Sequence, residues 1–252
     1  ACQKCNNQAR LRRAYLPVLM HNLRNYDMHA LCASGLGKRK SWQLTVIPQT
    51  EEKYMALTAR FPLFKNSSTK KQKMPYMTIR FLDSFQFMTA SLDTLVRNLN
   101  LRDMKLCSSL NLPSSDLITA KGVFPYSYFD NLERLNENSL PPIEAFRSSL
   151  TEEDITTEDY ARAKTAWKQL GCKTFGDYMH AYLKRDVYQL ADVFECFRNL
   201  TLKEDGLDPV YYITLPGLTW DSAFKHTQAE VDLFTDQSMY EFVERGIRSG
   251  IT

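Results

Sequence analysis

The chain lacks the features that would place it in a membrane or in the secretory route. Its 252 residues contain no apolar run of about 18 residues, so we expect no segment to span a membrane. The opening residues, ACQKCNNQARLRR, lack the apolar core of a secretory signal and include no initiator methionine. We therefore expect an intracellular protein whose chain begins within a longer polypeptide, and the sequence leaves nucleus or cytoplasm open.

The chain also has little net charge and few cysteines. A net charge of +3 does not by itself diagnose a nucleic-acid partner. Basic residues form three clusters, at 10–13, 38–40 and 70–73, and such clusters are more often solvated surface than phosphate contacts. Of the six cysteines, only Cys2 and Cys5 are close in sequence. We expect the other four to be buried thiols without disulfides: Cys32, Cys107, Cys172 and Cys196.

Apolar patterning places strands early in the chain and helices late. Short apolar or alternating segments predict strands at 16–22, 41–49, 53–61 and 77–88. Helical spacing predicts helices from Ser91, from Thr156 to Leu170, over 174–199, after Pro216 and over 237–245. This order predicts an α/β or α+β domain built around one mixed sheet.

One candidate site lies in the second long helix, at YLKRD (182–186). Residues four apart share a helix face, so the Tyr182 hydroxyl and the Asp186 carboxylate are expected on the same side. A phosphodiesterase that uses two divalent metals needs carboxylate ligands and a polar group that orients water. Taken alone, this spacing is more often an ordinary amphipathic helix.

A second candidate site is HNLRNYD (21–27), directly after the first predicted strand. Asn22 can bond a nucleotide, Tyr26 offers a ring to a base, and Asp27 offers an oxygen to a metal. The alternative is a turn in which Asn and Asp side chains bond their own backbone.

Together, and in this order, the two stretches resemble the second and third exonuclease motifs of family-B DNA polymerases. Further likeness runs through FLDSFQFMTASLDTL, KGVFPYSYFD, LPPIEAF and YYITLPGLTWDSAFKHT, toward the protein-primed branch of Polinton/Maverick elements and adintoviruses. The resemblance implies a ribonuclease-H-like mixed sheet with flanking helices over 16–205. It also implies the end of a zinc-binding insertion over 1–15 and a mainly helical connection toward the polymerase palm over 206–252.

The resemblance implies roles for individual residues. Asp27 and Asp186 would hold Mg²⁺ or Mn²⁺, while Tyr182 would position the attacking water. Lys121 would stabilise charge on phosphate. The residues expected to bind single-stranded DNA are Asn22, Tyr26, Ser84, Phe85 and Phe124. Phe85 departs from the leucine usual in the family. Cys2 and Cys5 are either half of a zinc site, with the other two ligands upstream, or two unrelated thiols.

The chain also departs from the family. It contains no Asp-x-Glu, which is the first exonuclease motif, and no Asp-Thr-Asp, which is a polymerase motif. We therefore expect a fragment of a DNA-directed DNA polymerase with a 3′–5′ exonuclease, inactive alone. The full-length enzyme would use primer-template DNA, dNTPs and a priming terminal protein. The alternative is a non-catalytic remnant that binds single-stranded DNA or docks proteins.

Overall fold

The computed structural model describes most of the chain. The described residues are 15–25, 27–33, 36, 42–50, 53–62, 76–110, 116–119, 122–149, 152–232 and 234–246. Four residues named above, Cys2, Cys5, Tyr26 and Lys121, lie outside these ranges, as do the three basic clusters.

The described strands form one mixed sheet in the order β1-β4-β3-β2. The strands are β1 (Leu16–Met20), β2 (Gln43–Pro48), β3 (Tyr54–Pro62) and β4 (Tyr76–Asp83). β1 pairs with β4 in parallel, whereas β3 is antiparallel to both β2 and β4. The carboxyl ends of β1 and β4 and the start of β3 therefore meet at one edge of the sheet.

Helices make up most of the remaining described structure. The α-helices are α1 (Asp27–Ala33), α2 (Leu92–Arg97), α3 (Lys105–Ser108), α4 (Asp116–Thr119), α5 (Thr157–Gln169), α6 (Phe175–Glu204), α7 (Leu215–Thr227) and α8 (Gln237–Gly246). Short 3-10 helices occupy Leu23–Asn25, Ser84–Gln86, Leu101–Asp103, Leu132–Asn136, Ile143–Phe146 and Pro209–Tyr211. The predicted α/β class and the mainly helical C-terminal part are confirmed, as is the predicted mixed sheet with flanking helices.

The long helix α6 organises the core. It begins with a capping box, in which Thr174 accepts from the Asp177 N–H and Asp177 accepts from the Thr174 N–H. Near its start, Phe175 and Tyr178 pack in an aromatic cluster with Phe146. Farther along, Val193 packs against Val96 and Met104 of the α2–α3 region. A single helix thus touches several packing centres and fixes their relative positions.

Packing continues from α6 into the C-terminal part. Phe194 of α6 shares a buried cluster with Phe87, Val210, Tyr212 and Leu218. The Arg198 guanidinium also donates two hydrogen bonds to Asp208, at 3.0 and 2.8 Å. The predicted boundary at residue 206 therefore stays a prediction, and side chains on both of its sides belong to one core.

Two details of the sequence prediction are wrong. Residues 84–88 were expected to continue the last strand, but β4 ends at Asp83 because its carboxylate accepts the Phe85 N–H and starts a 3-10 turn. Cys32 was expected to be buried but is exposed on the short helix α1, whereas Cys107 and Cys172 are buried and Cys196 is half-buried. All four are free thiols, as predicted.

Candidate functional site

The loops that follow β1 and β4 are joined by one buried carboxylate. Asp83 is the last residue of β4 and is fully buried. Its oxygens accept the backbone N–H groups of Asn22 at 2.8 Å, Arg24 at 3.3 Å and Phe85 at 3.0 Å. Hydrogen bonds to a carboxylate are stronger than neutral ones, so Asp83 fixes both loops at once.

Asn22 has a backbone conformation that few residues other than glycine adopt. Its φ is 64°, in the left-handed region. The Asn25 side-chain amide donates to Asn22 Oδ1 at 2.7 Å, and the Asn25 N–H donates to the Asn22 carbonyl at 3.2 Å. With Asp83 holding the Asn22 N–H, the conformation is fixed from several directions, as is typical of strained functional positions.

A histidine links the same two loops from the other side. His21 Nε2 lies 3.0 Å from the Ala90 carbonyl, and Nδ1 lies 3.0 Å from Ser84 Oγ. Burial lowers the pKa of His21, which favours the neutral ring. Because a carbonyl can only accept, Nε2 donates to Ala90, and the single hydrogen of the Ser84 hydroxyl goes either to Nδ1 or to the Met20 carbonyl.

The structure brings together three of the predicted DNA-binding residues, Asn22, Ser84 and Phe85. Ser84 is fully buried, and its hydroxyl is occupied by His21 and by the Met20 carbonyl at 3.1 Å. The Phe85 ring packs edge-on against His21, with centroids 5.5 Å apart. Direct contact of Ser84 with DNA stays a prediction, while its observed contacts support the loop that carries Asn22.

Asp27 opens α1 at the same edge of the sheet. Burial raises the pKa of its carboxyl group, and the negative charge of Asp83 raises it further. A bound cation would oppose both effects, because it stabilises the ionised carboxylate. Metal binding by Asp27 stays a prediction.

The predicted pair on α6 faces one side of the helix. The Tyr182 hydroxyl bonds the Tyr126 hydroxyl at 2.5 Å and also interacts with the Asp186 carboxylate. Burial raises the pKa of Tyr182, and the nearby charge of Asp186 and the bond to Tyr126 raise it further. The hydroxyl thus stays protonated, and its one hydrogen is engaged by Asp186 or Tyr126 in this structure.

Aromatic rings fix the position of Tyr182. Phe124 stacks on the Tyr182 ring with centroids 5.2 Å apart, and on Phe175 with centroids 5.4 Å apart. The close approach of Gly122 completes the packing, since a Cβ there would collide with Tyr182 and Arg185. DNA binding by Phe124 stays a prediction, and its observed contacts position the tyrosine.

A buried cation stands directly beside this pair. Arg185 is only 8% exposed, and its Nε makes no hydrogen bond. Burial lowers the pKa of its guanidinium, although the charge of Asp186 acts in the opposite direction. Arg185 therefore supplies positive charge next to Asp186.

The described residues do not assemble a complete metal centre. Within those ranges, no group of three or more His, Cys, Asp or Glu side chains is placed to hold a metal ion. Asp27 and Asp186 have the oxygen chemistry that Mg²⁺ prefers, but two carboxylates are half of what a pair of ions needs. No described helix is long and apolar enough to cross a membrane.

Comparison with models of protein families identifies the family of this chain. The family model described as DNA polymerase type B, organellar and viral, matches residues 11–252. The chain belongs to this family. Comparisons with curated proteins and with solved structures found no significant match. Membership supports a DNA polymerase enzyme that binds DNA and dNTPs and uses divalent metal ions, and the Polinton/Maverick subbranch stays a prediction.

Several residues of the candidate site in this type B polymerase chain are not predicted from the sequence. Asp83, His21 and Tyr126 all lie in stretches that carry the family resemblance, yet none was assigned a role. A single sequence does not separate a buried acceptor from an exposed acid, or an anchoring tyrosine from other aromatic residues. Only the pairing of β1 with β4 reveals that Asp83 faces the Asn22 loop.

Proposed function

We propose that this chain is the 3′–5′ exonuclease part of a type B DNA polymerase, acting on the 3′ end of single-stranded DNA. The observation that carries the proposal is the Tyr182–Asp186 pair: Tyr182 is buried among aromatic rings, and the half-buried Asp186 interacts with its hydroxyl. A second group supports it at the sheet edge, where Asn22 and Asp27 follow a parallel strand.

In this proposal the protein side chains bind and orient the strand. Asp27 and Asp186 would hold divalent ions, which supply an activated water and stabilise the leaving 3′ oxygen. With Asp186 engaged by an ion, the Tyr182 hydroxyl would turn its hydrogen to that water and limit its direction of attack. Asn22 donates from its side-chain amide to the terminal nucleotide, and Phe85 offers a ring to its base.

Further carboxylates would come from polypeptide outside this chain, since the sequence has no Asp-x-Glu. We accordingly propose that the 252 residues alone hydrolyse DNA poorly. The predicted subbranch carries with it a priming terminal protein, which we propose as a partner of the full-length enzyme.

A second candidate function is a binding module without catalysis. The lack of a three-ligand metal group among the described residues favours it. Such a module would bind single-stranded DNA in a salt-sensitive manner and release no nucleotide.

The deciding experiment measures 3′–5′ degradation of single-stranded DNA with Mg²⁺, using the chain extended upstream to include an Asp-x-Glu. An Asp27→Ala, Asp186→Ala double variant serves as the matched inactive protein. Mononucleotide release by the extended chain that disappears in the double variant supports the exonuclease. Strand binding without any release by the folded, extended chain would establish the binding module instead.

A further inference from the structure

A separate pocket lies beside the loop that carries Asn22, between α1 and the start of β3. It has a volume of about 500 Å³, within the range of small-molecule sites. The residues that line it are Arg24, Asn25, Met28, His29, Cys32, Lys53 and Tyr54. None of the roles assigned above uses it.

The charge of this pocket is positive. Arg24 and Lys53 bring permanent positive charges and His29 brings a third when protonated, while none of its lining residues is acidic. No ion pair among the described residues includes Arg24 or Lys53. Positive groups gathered in a concave site attract anions.

Arg24 is built into the pocket rather than loosely attached. Its backbone N–H donates to Asp83 at 3.3 Å, and its Nη1 donates to Gln49 Oε1 at 3.2 Å. Its Nε is buried and has no hydrogen-bond partner.

Lys53 is held by a tight turn. Its carbonyl accepts the N–H groups of Gln49 at 2.8 Å and Thr50 at 3.2 Å, and its own N–H donates to Thr50 Oγ1 at 3.1 Å. The backbone before β3 is therefore fixed at Lys53. Two cationic residues from different parts of the chain, Arg24 and Lys53, line the same pocket.

The other walls suit the remainder of a nucleotide. Met28 is fully buried and forms an apolar floor, while the Tyr54 ring and the Asn25 amide supply contacts for a sugar or base. The volume exceeds that of a lone phosphate ion. A guanidinium with spare donors matches phosphate oxygens better than a single lysine would.

We propose that this pocket binds the phosphate group of a nucleotide, and that the side chains of Arg24 and Lys53 contact the phosphate oxygens. The phosphate belongs either to a free nucleotide or to a DNA strand whose 3′ end lies at Asn22. The inference rests on the proposed function only if the phosphate belongs to a DNA strand. In that case the pocket extends the strand path beyond the terminal nucleotides.

Calorimetric titration of the 252-residue chain with dTMP, in the absence of metal, tests the site directly. The double variant Arg24→Gln, Lys53→Gln is expected to weaken binding about tenfold or more, and inorganic phosphate is expected to compete in the unaltered chain. The charge-matched control is Arg102→Gln, Lys168→Gln, which removes two exposed cations elsewhere. Equal affinities in the two double variants would overturn the proposal.

Cys32 provides a second measurement that does not depend on activity. It is an exposed thiol in the pocket lining, so a bound ligand should slow its alkylation by N-ethylmaleimide. Peptide mass spectrometry reports Cys32 separately from Cys196, which lies outside the pocket. Slower alkylation of Cys32 in the presence of dTMP supports the site. An alkylation rate that neither dTMP nor a dT decamer changes refutes it.

A comparison of dTMP with the dT decamer also identifies the source of the phosphate. If the dT decamer protects Cys32 and this protection is lost in the pocket double variant, the phosphate belongs to a strand. In that case the affinity of the double variant for the decamer should also depend less steeply on salt concentration. Protection by dTMP but not by the decamer assigns it to a free nucleotide. Because neither readout needs hydrolysis, a protected Cys32 in a chain without nuclease activity would leave this proposal standing while the exonuclease fails.

Discussion

Asp83 accepts the N–H of Asn22 at 2.8 Å, and Asn22 has a φ of 64°. A fully buried carboxylate thus sustains the left-handed backbone that presents the proposed nucleotide ligand. The acidic residue does not need to touch DNA or metal to matter, because it acts through the geometry of its neighbour.

The first prediction concerns Asp83→Asn. An amide keeps one acceptor oxygen but turns an NH₂ group toward backbone donors, so part of the three-bond arrangement is lost. We expect a loss of about 2–3 kcal/mol in the free energy of unfolding, measured in urea. Affinity for single-stranded DNA should fall as well, because the Asn22 loop is released.

Asp154→Asn is the matched control. This side chain is 78% exposed, and its nearest cation, Arg147, is 4.0 Å away. We expect a change of less than about 0.5 kcal/mol. A similar small change for Asp83→Asn would show that its hydrogen bonds do not order the loop.

The second prediction is a pH dependence at Asp27. Its pKa is raised in the folded protein, so the folded state binds more protons than the unfolded state above the ordinary value of 3.8. Stability contributed by this group is therefore lost as the pH rises through the raised folded pKa. Asp27→Asn should raise Tm near pH 7, with a gain that shrinks as the pH is lowered toward 4.

Asp177 should show the opposite sign. Backbone N–H groups of Lys173 and Thr174 lower the pKa of its carboxyl group, which is the capping-box acid of α6. Its stabilisation is present above the ordinary value of 3.8 and is lost as the pH falls through the lowered folded pKa. Asp177→Asn should therefore lower Tm near pH 7. A Tm change of the same sign in both variants would contradict one of the two assignments.

The third prediction separates the Tyr182 hydroxyl from its ring. Tyr182→Phe keeps the stack with Phe124 but removes the donor proposed to orient water. In the extended, active chain we expect single-turnover nuclease rates to fall about a hundredfold, with strand affinity unchanged. Tyr126→Phe removes the same tyrosine–tyrosine bond from a side chain that is 67% exposed, and it should retain most of the rate.

The fourth prediction is steric. In Gly122→Ala, the added methyl group would collide with Arg185 and the Tyr182 ring. We expect a loss of about 1–3 kcal/mol in unfolding free energy, because both side chains are held in a packed core. Gly246→Ala is the control, since a Cβ there meets no atom within 4 Å. Equal stability of the two variants would mean that Tyr182 and Arg185 move aside freely.

The fifth prediction ranks two cysteine thiols by their rate of alkylation. Burial and the carboxylate of Asp192 raise the pKa of Cys107 to about 12, so its reactive thiolate is scarce at pH 8. We expect Cys32, which is exposed, to be alkylated well before Cys107 when peptides are mapped over time. Early modification of Cys107 would indicate that the α3–α6 contact opens readily.

The sequence was sufficient to place the strands, the long helices and the Tyr182–Asp186 pair. These features depend on periodicity, which is local: strands alternate, and residues four apart share a helix face. The end of β4 was missed for a local reason too, since Asp83 stops the strand by binding the backbone two residues ahead.

The rest of the site depends on contacts between distant residues. The Asp83–Asn22 bond spans 61 positions, and the Tyr126–Tyr182 bond spans 56. The phosphate pocket likewise combines α1 with the start of β3. No spacing rule within one sequence predicts such pairs, because they exist only after the strands have found their register.

The 30 residues of α6 extend for about 45 Å. Its first half carries Tyr182 and Asp186, and its last turns are fastened to the following segment through Arg198 and Asp208. Within the described structure, the hydrogen bonds of Arg198 to Asp208 and the Tyr182–Asp186 pair therefore belong to one continuous helix. A break in the middle of α6 would separate the proposed hydrolytic residues from the packing of the C-terminal segment.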